Sequence, residues 1–313
     1  MSDSLRASQA ALAERVLALQ LSARRVAAGV LAGLHRSVFR GGSAEFAEYK
    51  EYAPGDDSRT IDWRLVGRTD RWYVKRFEEA TNRRCWLLLD SSASMAFSRG
   101  GRESKLEIAR LALAGLSALL LGQGDAVGIA TLSDDPKSQR GLVPPRGQAS
   151  HGNAILARLI EASPRGKLSL PESLDALGPV LGRRSLIVIA SDLIDDVDLV
   201  AAALRRLDAR GHEIVVLHVL EPDEIDFPFE GMFRFRDPET GAEVTADAAS
   251  VRESYRRESA AFLASCERAV ASARADLVRL STDADVAQVL LRFLARRRAL
   301  ARRSAATSRG ATG

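Results

Sequence analysis

The chain has 313 residues, of which 46% are hydrophobic, so it is long and apolar enough for one large domain or two smaller ones. Its net charge of +4 and its pI near 9.3 are only weak evidence for an anionic partner. Cys85 and Cys266 lie far apart without a CxxC partner, which favours buried thiols in a reducing compartment over a disulfide or a zinc ribbon.

The N-terminal region predicts a helix over residues 8–34, rich in Ala and Leu. Its first residues, MSDSLRASQ, lack the basic-then-apolar layout of a secretory signal. The apolar run VAAGVLAGL at 26–34 is too short to cross a bilayer. We therefore expect a cytoplasmic protein without a membrane span, in which residues 1–34 form a helical segment.

Residues 35–83 differ in composition from the helix before them and predict a small β-rich element. Gly and Pro residues separate short aromatic segments such as WYVKRF. The string PGDDSRTIDW at 54–63 allows two interpretations. It is either a partner-binding surface or a structural segment that holds the β-rich element against the domain that follows.

The main domain, over residues 84–300, alternates buried strands with helices. Ser104 and Glu107 form a capping box that opens a helix through Leu121, closed by Gly122. Such repeated β–α units predict an α/β fold with a doubly wound, mostly parallel sheet. The predicted strands are WLLLD, AVGIATL, SLIVIASD, EIVVLHVL and ADLVRL, with a loop region and shorter helices over 134–180 and a hairpin inserted at about 230–246.

The C-terminal run RFLARRRALARR predicts an amphipathic last helix with a solvated basic face. The same arginines leave open an interaction with nucleic acid or a membrane surface. Residues 301–313 are expected to be a disordered tail.

Polar side chains follow two of the buried strands at the points where these strands end. Asp90 ends one strand and is followed by Ser92 and Ser94, and Asp192 ends another. In an open α/β sheet such residues meet in the crevice beyond the strand ends, where hard oxygen ligands suit Mg²⁺ or Mn²⁺. The alternative is that both aspartates and the serines only cap the turns or helices that follow.

The segment LLLDSSASM resembles the metal-ion-dependent adhesion site of von Willebrand factor type A domains, whose fold is a doubly wound sheet. The longer segment from EFAEYKEYAPGDD through IDW and YVKRF to this loop resembles the domain of unknown function 58 family. The similarity continues through GQGDAVGIATLSD, SLIVIASDLID and HVLEPDEIDFPFEG to an ETG hairpin, and covers about residues 30–295.

The resemblance implies that a divalent metal, Mg²⁺ or Mn²⁺, is bound by Asp90, Ser92, Ser94 and Asp192. Relatives commonly have a threonine that completes the site, in a Gly-Gly-Thr-Asp-like segment ahead of a helix. This chain has PRGKLSLPESL there, with Leu168 or Ser169 at the position of the threonine. Leucine cannot coordinate a metal, and Ser169 substitutes only if the loop shifts by one residue. The resemblance therefore predicts a degenerate site that binds metal weakly or only together with a ligand.

The resemblance also implies a function. It predicts a non-enzymatic interaction module that partners a MoxR-type AAA+ ATPase and a client protein in the assembly or maturation of protein complexes. A metal-dependent hydrolase that uses the same crevice is an alternative, and so is nucleic-acid binding through the arginines. None of the four histidines, His35, His151, His212 and His218, belongs to a recognisable catalytic triad.

Overall fold

The computed structural model describes residues 2–39, 49–51, 73–75, 83–132 and 141–297. Its first helix, α1 (Ser2–Phe39), extends beyond the predicted 8–34 at both ends. Two short strands, β1 (Tyr49–Glu51) and β2 (Tyr73–Lys75), pair antiparallel within the predicted β-rich element. The PGDD–IDW string and the C-terminal tail lie outside the described residues.

The main domain alternates strands and helices as predicted. Its strands are β3 (Arg84–Asp90), β4 (Ala126–Leu132), β5 (Leu142–Arg146), β6 (Leu186–Ser191), β7 (Glu213–Leu220), β8 (Met232–Arg236), β9 (Glu243–Asp247) and β10 (Asp276–Ser281). Its helices are α2 (Lys105–Gly122), α3 (Gly152–Glu161), α4 (Leu170–Leu181), α5 (Val197–Ala209), α6 (Pro222–Asp226), α7 (Ala248–Ser272) and α8 (286–297).

Six strands form one sheet in the order β10-β7-β6-β3-β4-β5, and all neighbours are parallel except β4 and β5. This confirms the doubly wound, mostly parallel sheet. Strand β3 has β4 on one side and β6 on the other, so the chain changes direction across the sheet at this point. The carboxyl ends of β3 and β6 therefore border a topological switch point, the usual ligand position in such sheets.

The edge strand β5 was not predicted. Its sequence, LVPPR, has two prolines and lies in a stretch that we expected to be loops and short helices. Proline cannot donate a hydrogen bond to a neighbouring strand, so it is confined to edges, where one side of the strand needs no partner.

Each face of the sheet is covered by a hydrophobic cluster. Cys85, Leu87 and Leu89 of β3 pack into the cluster that includes residues of α1, α2 and α3. Trp86 and Leu88 face the other cluster, which includes residues of α4, α5 and α7. Both cysteines are buried and free, as predicted. A strand buried on both faces explains why β3 is a continuous apolar run.

Helix α1 contributes to this core. By length and composition alone, its segment Ala11–Leu34 is apolar enough to cross a membrane, so the expectation based on 26–34 considered too short a segment. In the structure, Val26 and Val30 are buried against the α/β domain. A side-chain carbon at Gly115 of α2 would lie 2.5 Å from Val26 Cγ1, so glycine is needed for the two helices to approach this closely.

Helix α2 begins as predicted, because the Ser104 hydroxyl accepts a hydrogen bond from the Glu107 amide at 3.2 Å. Its end differs slightly. Gly122 is still helical, and the left-handed residue that turns the chain is Gly124, with φ of 84°.

Candidate metal centre

The two strand-terminal aspartates lie on neighbouring strands, as predicted. β3 and β6 pair in parallel with Leu89 opposite Ala190, so the chain leaves both strands at the same edge of the sheet. The Ser191 hydroxyl donates to Asp90 Oδ2 at 2.6 Å. Asp90 and Asp192 are each only 3% exposed, so both carboxyl groups lie within the crevice and not on the surface.

The serines after Asp90 are held close to its carboxylate. The Ser92 amide donates to Asp90 Oδ1 at 2.8 Å, and the chain then enters a short 3₁₀ turn over Ala93–Ala96. This turn brings Ser92 Oγ and Ser94 Oγ within 2.9 Å of each other. Adjacent ligands of an octahedral cation with bonds of about 2.1 Å are about 3 Å apart. The 2.9 Å spacing is that of a hydrogen bond between the two hydroxyls, and it also matches the spacing of two neighbouring ligands on one cation.

The Asp90 carboxylate is electrostatically unfavourable without a cation. Burial, followed by the negative charge of Asp192, raises the pKa of Asp90 from 3.8 to about 6, although hydrogen bonds from Ser191 and Ser92 lower it in part. Within the described ranges no cationic side chain forms an ion pair with Asp90. A bound cation would stabilise the ionised form of this carboxylate.

Asp192 has a different environment, because it has an internal cation. Lys105, at the start of α2, is fully buried, and its Nζ lies 2.7 Å from Asp192 Oδ2 and 2.9 Å from Glu224 Oε1. Burial acts to lower the pKa of Lys105, but the attraction of the two carboxylates outweighs it and the pKa is raised. Sequence reasoning missed this lysine. The available signal was a charged residue on a helix that is otherwise apolar nearly all round.

His218 of β7 supports the end of β6. Its side chain is 1% exposed, and Nε2 lies 3.0 Å from the carbonyl oxygen of Asp192. Burial lowers the pKa of His218 from 6.5 to about 4, so the imidazole is neutral at pH 7 and donates to that carbonyl when Nε2 carries the hydrogen. His218 is therefore a buried core residue whose ring is hydrogen-bonded to the end of β6.

The structure does not bring Ser169 into the site. Its hydroxyl accepts a hydrogen bond from the Glu172 amide at 3.5 Å, as the N-cap of α4. Leu168 lies at the border of the site but is 4% exposed and packs in the cluster around Trp86 and Leu88. The apolar contacts of Leu168 fix the loop, so no one-residue shift places a hydroxyl there.

A further acid, Glu239, reaches the site from the turn between β8 and β9. A cavity of about 10 Å³, enough for one water molecule or bare ion, opens beside Asp90. Burial, and then the charges of Asp192 and Asp237, raise the pKa of Glu239, while a hydrogen-bonding contact with the Ser94 hydroxyl lowers it. The cavity is lined by Asp90, Ser92, Leu168, Leu170, Ser191, Leu193, Ile194, Asp195 and Glu239. The sequence predicted this hairpin but gave no role to its glutamate.

A larger groove of about 680 Å³ adjoins the small cavity and shares Ile194, Asp195 and Glu239 with its lining, and Ser94 also lines the groove. Its apolar wall is aromatic, with the rings of Phe227 and Tyr255 4.3 Å apart and those of Phe227 and Phe229 4.9 Å apart. A partner segment in this groove would therefore lie next to the candidate metal centre.

The donor set fits a hard cation held by few protein charges. Across the described part of the chain, no three His, Cys, Asp or Glu side chains converge as a metal-binding group. The oxygens of Asp90, Ser92 and Ser94 are the donors that the geometry brings together, with Asp192 engaged by Lys105. One carboxylate and two hydroxyls suit weakly bound Mg²⁺ or Mn²⁺, with the remaining positions taken by water.

Comparison with known proteins identifies similar chains. The model of the family described as "Protein of unknown function DUF58" matches residues 48–264. "Uncharacterized protein Rv1480" of Mycobacterium tuberculosis is 32% identical over 295 residues, which cover 92% of this chain and 90% of the relative. "Uncharacterized protein MAV169" of Mycobacterium avium is 32% identical over 160 residues, 49% of this chain and 93% of the relative.

Three solved structures are more distant likenesses. The conserved hypothetical protein BatB from Bacteroides thetaiotaomicron is 16% identical with a TM-score of 0.45, covering 68% of this chain and 98% of its own. An aerotolerance-related membrane protein from Bacteroides fragilis is 19% identical with a TM-score of 0.44, and the match covers 68% of this chain and 97% of that protein. The SpRpn10 VWA domain is 11% identical with a TM-score of 0.39, and the match covers 67% of this chain and 94% of that domain.

Proposed function

The chain belongs to the DUF58 family, and from this premise we propose that it is a protein-interaction module that binds its partner through a divalent cation. Asp90, Ser92 and Ser94 hold the cation, Mg²⁺ or Mn²⁺, and a carboxylate of the partner takes one of its open positions. The observation that carries the proposal is the 2.9 Å hydroxyl pair beside a buried aspartate at the switch point of the sheet.

The proposed partner is a MoxR-type AAA+ ATPase, with which the protein acts on a client protein in the cytoplasm. This choice rests on the family resemblance of the PGDD–IDW–YVKRF string and the DSSAS loop. The groove beside the site supports a binding role, because its aromatic wall offers apolar area next to the cation.

We propose binding and not catalysis at this site. A hydrolase would need a general base within reach of a metal-bound water. The nearest nitrogen bases are committed elsewhere, since Lys105 is ion-paired to Asp192 and Glu224 and His218 contacts a backbone carbonyl. Neither nitrogen base is therefore free to take a proton from a metal-bound water, which favours binding over hydrolysis.

A pull-down of the full chain with the MoxR-type ATPase tests the proposal. We expect binding in Mg²⁺, loss of binding in EDTA, and loss in Asp90→Ala. Asp175→Ala is the matched control, because Asp175 is a half-exposed acid that pairs with Arg206 on the surface. Binding of Asp90→Ala at the wild-type level, together with no effect of EDTA, would contradict the proposal.

A further inference from the structure

The turn of the β8–β9 hairpin places the carboxylate of Glu239 beside the candidate metal centre. Glu239 lines the small cavity together with Asp90 and Ser92, and it lines the adjoining groove together with Ser94. These groups are distant in sequence, but the fold brings them to one point. Among the described residues, Glu239 has no ion-pair partner, although nearly every other acid around the groove does or caps a backbone amide.

The small cavity beside Asp90 has the size and the polar groups of a cation site. It has room for one water molecule or bare ion, and its lining includes the side chains of Asp90, Ser92 and Glu239, which come from separate parts of the fold. Ser94 Oγ lies 2.9 Å from Ser92 Oγ, and Ser94 and Glu239 both line the adjoining groove. Buried negative charge at this point is costly without a positive partner, and a cation bound by these four groups would supply one.

We propose that Glu239 is a ligand of the cation, in addition to the side chains of the DSSAS loop. This inference rests on the proposed metal site and extends its donor set to Asp90, Ser92, Ser94 and Glu239. Two carboxylates then balance the charge of a divalent ion, as the two hydroxyls contribute none. Asp192 is left out of this donor set because its Oδ2 is already paired with the Lys105 ammonium, which Glu224 shares.

The hairpin turn is built to hold Glu239 in place. Asp237 Oδ1 accepts a hydrogen bond from the Glu239 amide at 2.8 Å, and Asp237 Oδ2 accepts one from the Thr240 hydroxyl at 2.5 Å. The Gly241 amide donates to the Asp237 carbonyl at 2.9 Å, with Gly241 at φ of 73°. Because this turn is internally fixed, ligation by Glu239 ties the whole hairpin to the edge of the sheet.

Mn²⁺ binding to the full chain tests the assignment, measured by calorimetry and by electron paramagnetic resonance. We expect Glu239→Gln to weaken Mn²⁺ binding about tenfold or more, which is the loss typical of damaged metal sites. Glu243→Gln is the matched control, since Glu243 lies on the same hairpin in an exposed ion pair with Arg234. We expect this variant to bind Mn²⁺ as the wild type does.

Hydrogen exchange gives a second readout. Mn²⁺ should protect amides of residues 232–247 in the wild type and in Glu243→Gln, but not in Glu239→Gln. If Asp90→Ala abolishes Mn²⁺ binding while Glu239→Gln leaves affinity and protection unchanged, the assignment of Glu239 is wrong and the metal site stands. If the wild type binds no Mn²⁺, or Asp90→Ala binds it equally well, the metal site itself fails.

Discussion

The ends of β3 and β6 make an instructive comparison, because the two strands are neighbours and each leads into a buried aspartate. The carboxylate of Asp192 meets the ammonium of Lys105 at 2.7 Å. The carboxylate of Asp90 meets the Ser191 hydroxyl and the Ser92 backbone amide instead. One strand end has a cation that is part of the chain, and the other has only neutral donors.

The positive charge beside Asp192 is a permanent part of the structure, whereas a cation beside Asp90 would be exchangeable. A buried carboxylate is costly unless it is paired, so each strand end needs positive charge. Lys105 provides it permanently for Asp192 and couples α2 to the sheet. Asp90 must obtain it from solution or take up a proton, which suits a site whose occupancy depends on a partner. The predictions below test this division.

The largest expected effect concerns the internal cation. Lys105→Met removes the ammonium and leaves Asp192 buried and unpaired, which should cost about 3–5 kcal/mol in the free energy of unfolding. Urea denaturation measures this loss. Arg206→Met, which breaks the surface pair with Asp175, is the control and should cost at most about 1 kcal/mol. Similar losses in both variants would mean that Lys105 is no more important than a surface charge.

The second effect is a pH dependence at the end of β6. Because burial depresses the pKa of His218 to about 4, the unfolded chain binds the proton first as the pH falls. Stability is independent of this imidazole's titration above about pH 6.5, and between pH 6.5 and 4 proton uptake by the unfolded chain lowers the free energy of unfolding by up to about 3 kcal/mol.

His218→Gln tests this pH dependence, because glutamine retains a donor for the Asp192 carbonyl but does not titrate. The gap in the free energy of unfolding between the variant and the wild type should change by about 3 kcal/mol between pH 7 and pH 4. Denaturation curves at four pH values measure it. Parallel curves for the two proteins would show that His218 is not the titrating group.

The features of the site that the sequence predicted are those that depend on residues close together in the chain. Two continuous apolar runs that end in aspartate predicted buried strands, and the spacing of Ser92 and Ser94 fitted a loop that directs both hydroxyls to one point. Leu168, with Ser169 as the other possibility, was singled out by the family resemblance. Each of these features depends on strand burial or on residues within a few positions of one another.

The features that were missed depend on long-range contacts. Lys105 and Asp192 are 87 residues apart, and nothing in either segment indicates that they form a pair. Glu239 belongs to a hairpin whose position relative to the sheet is set by packing of Phe227, Phe229 and Phe235. The edge strand β5 was hidden by its prolines. A single sequence fixes such contacts only through the complete fold.

The third effect compares the two aspartates directly. Mn²⁺ at 100 times its dissociation constant should stabilise the wild type by about 2.7 kcal/mol. Asp90→Asn should remove this increment. Asp192→Asn should lower the baseline stability, since Lys105 loses a partner, but should keep most of the increment. Thermal melting with and without Mn²⁺ measures both. Equal loss of the increment in the two variants would show that both strand ends hold the cation.

The smallest effect concerns the residue that stands in place of the family's threonine. Leu168→Thr exchanges buried apolar area for a hydroxyl and should cost about 1–2 kcal/mol of stability without cation. Because Leu168 lines the cavity beside Asp90, the new hydroxyl should also tighten Mn²⁺ binding several-fold. Leu174→Thr, in the same core cluster but away from the cavity, should lose stability without gaining affinity.

Calorimetric titration with Mn²⁺ decides between the outcomes for these two variants. Tighter binding in Leu168→Thr alone would show that the cation lies within reach of the loop and that the site of this chain lacks one oxygen there. Unchanged affinity would mean that the coordination is already complete on that side, with the hairpin as its source. In that case the contrast with the β6 end becomes sharper, since Glu239 adds a second negative charge beside Asp90 and only an external cation can balance the two.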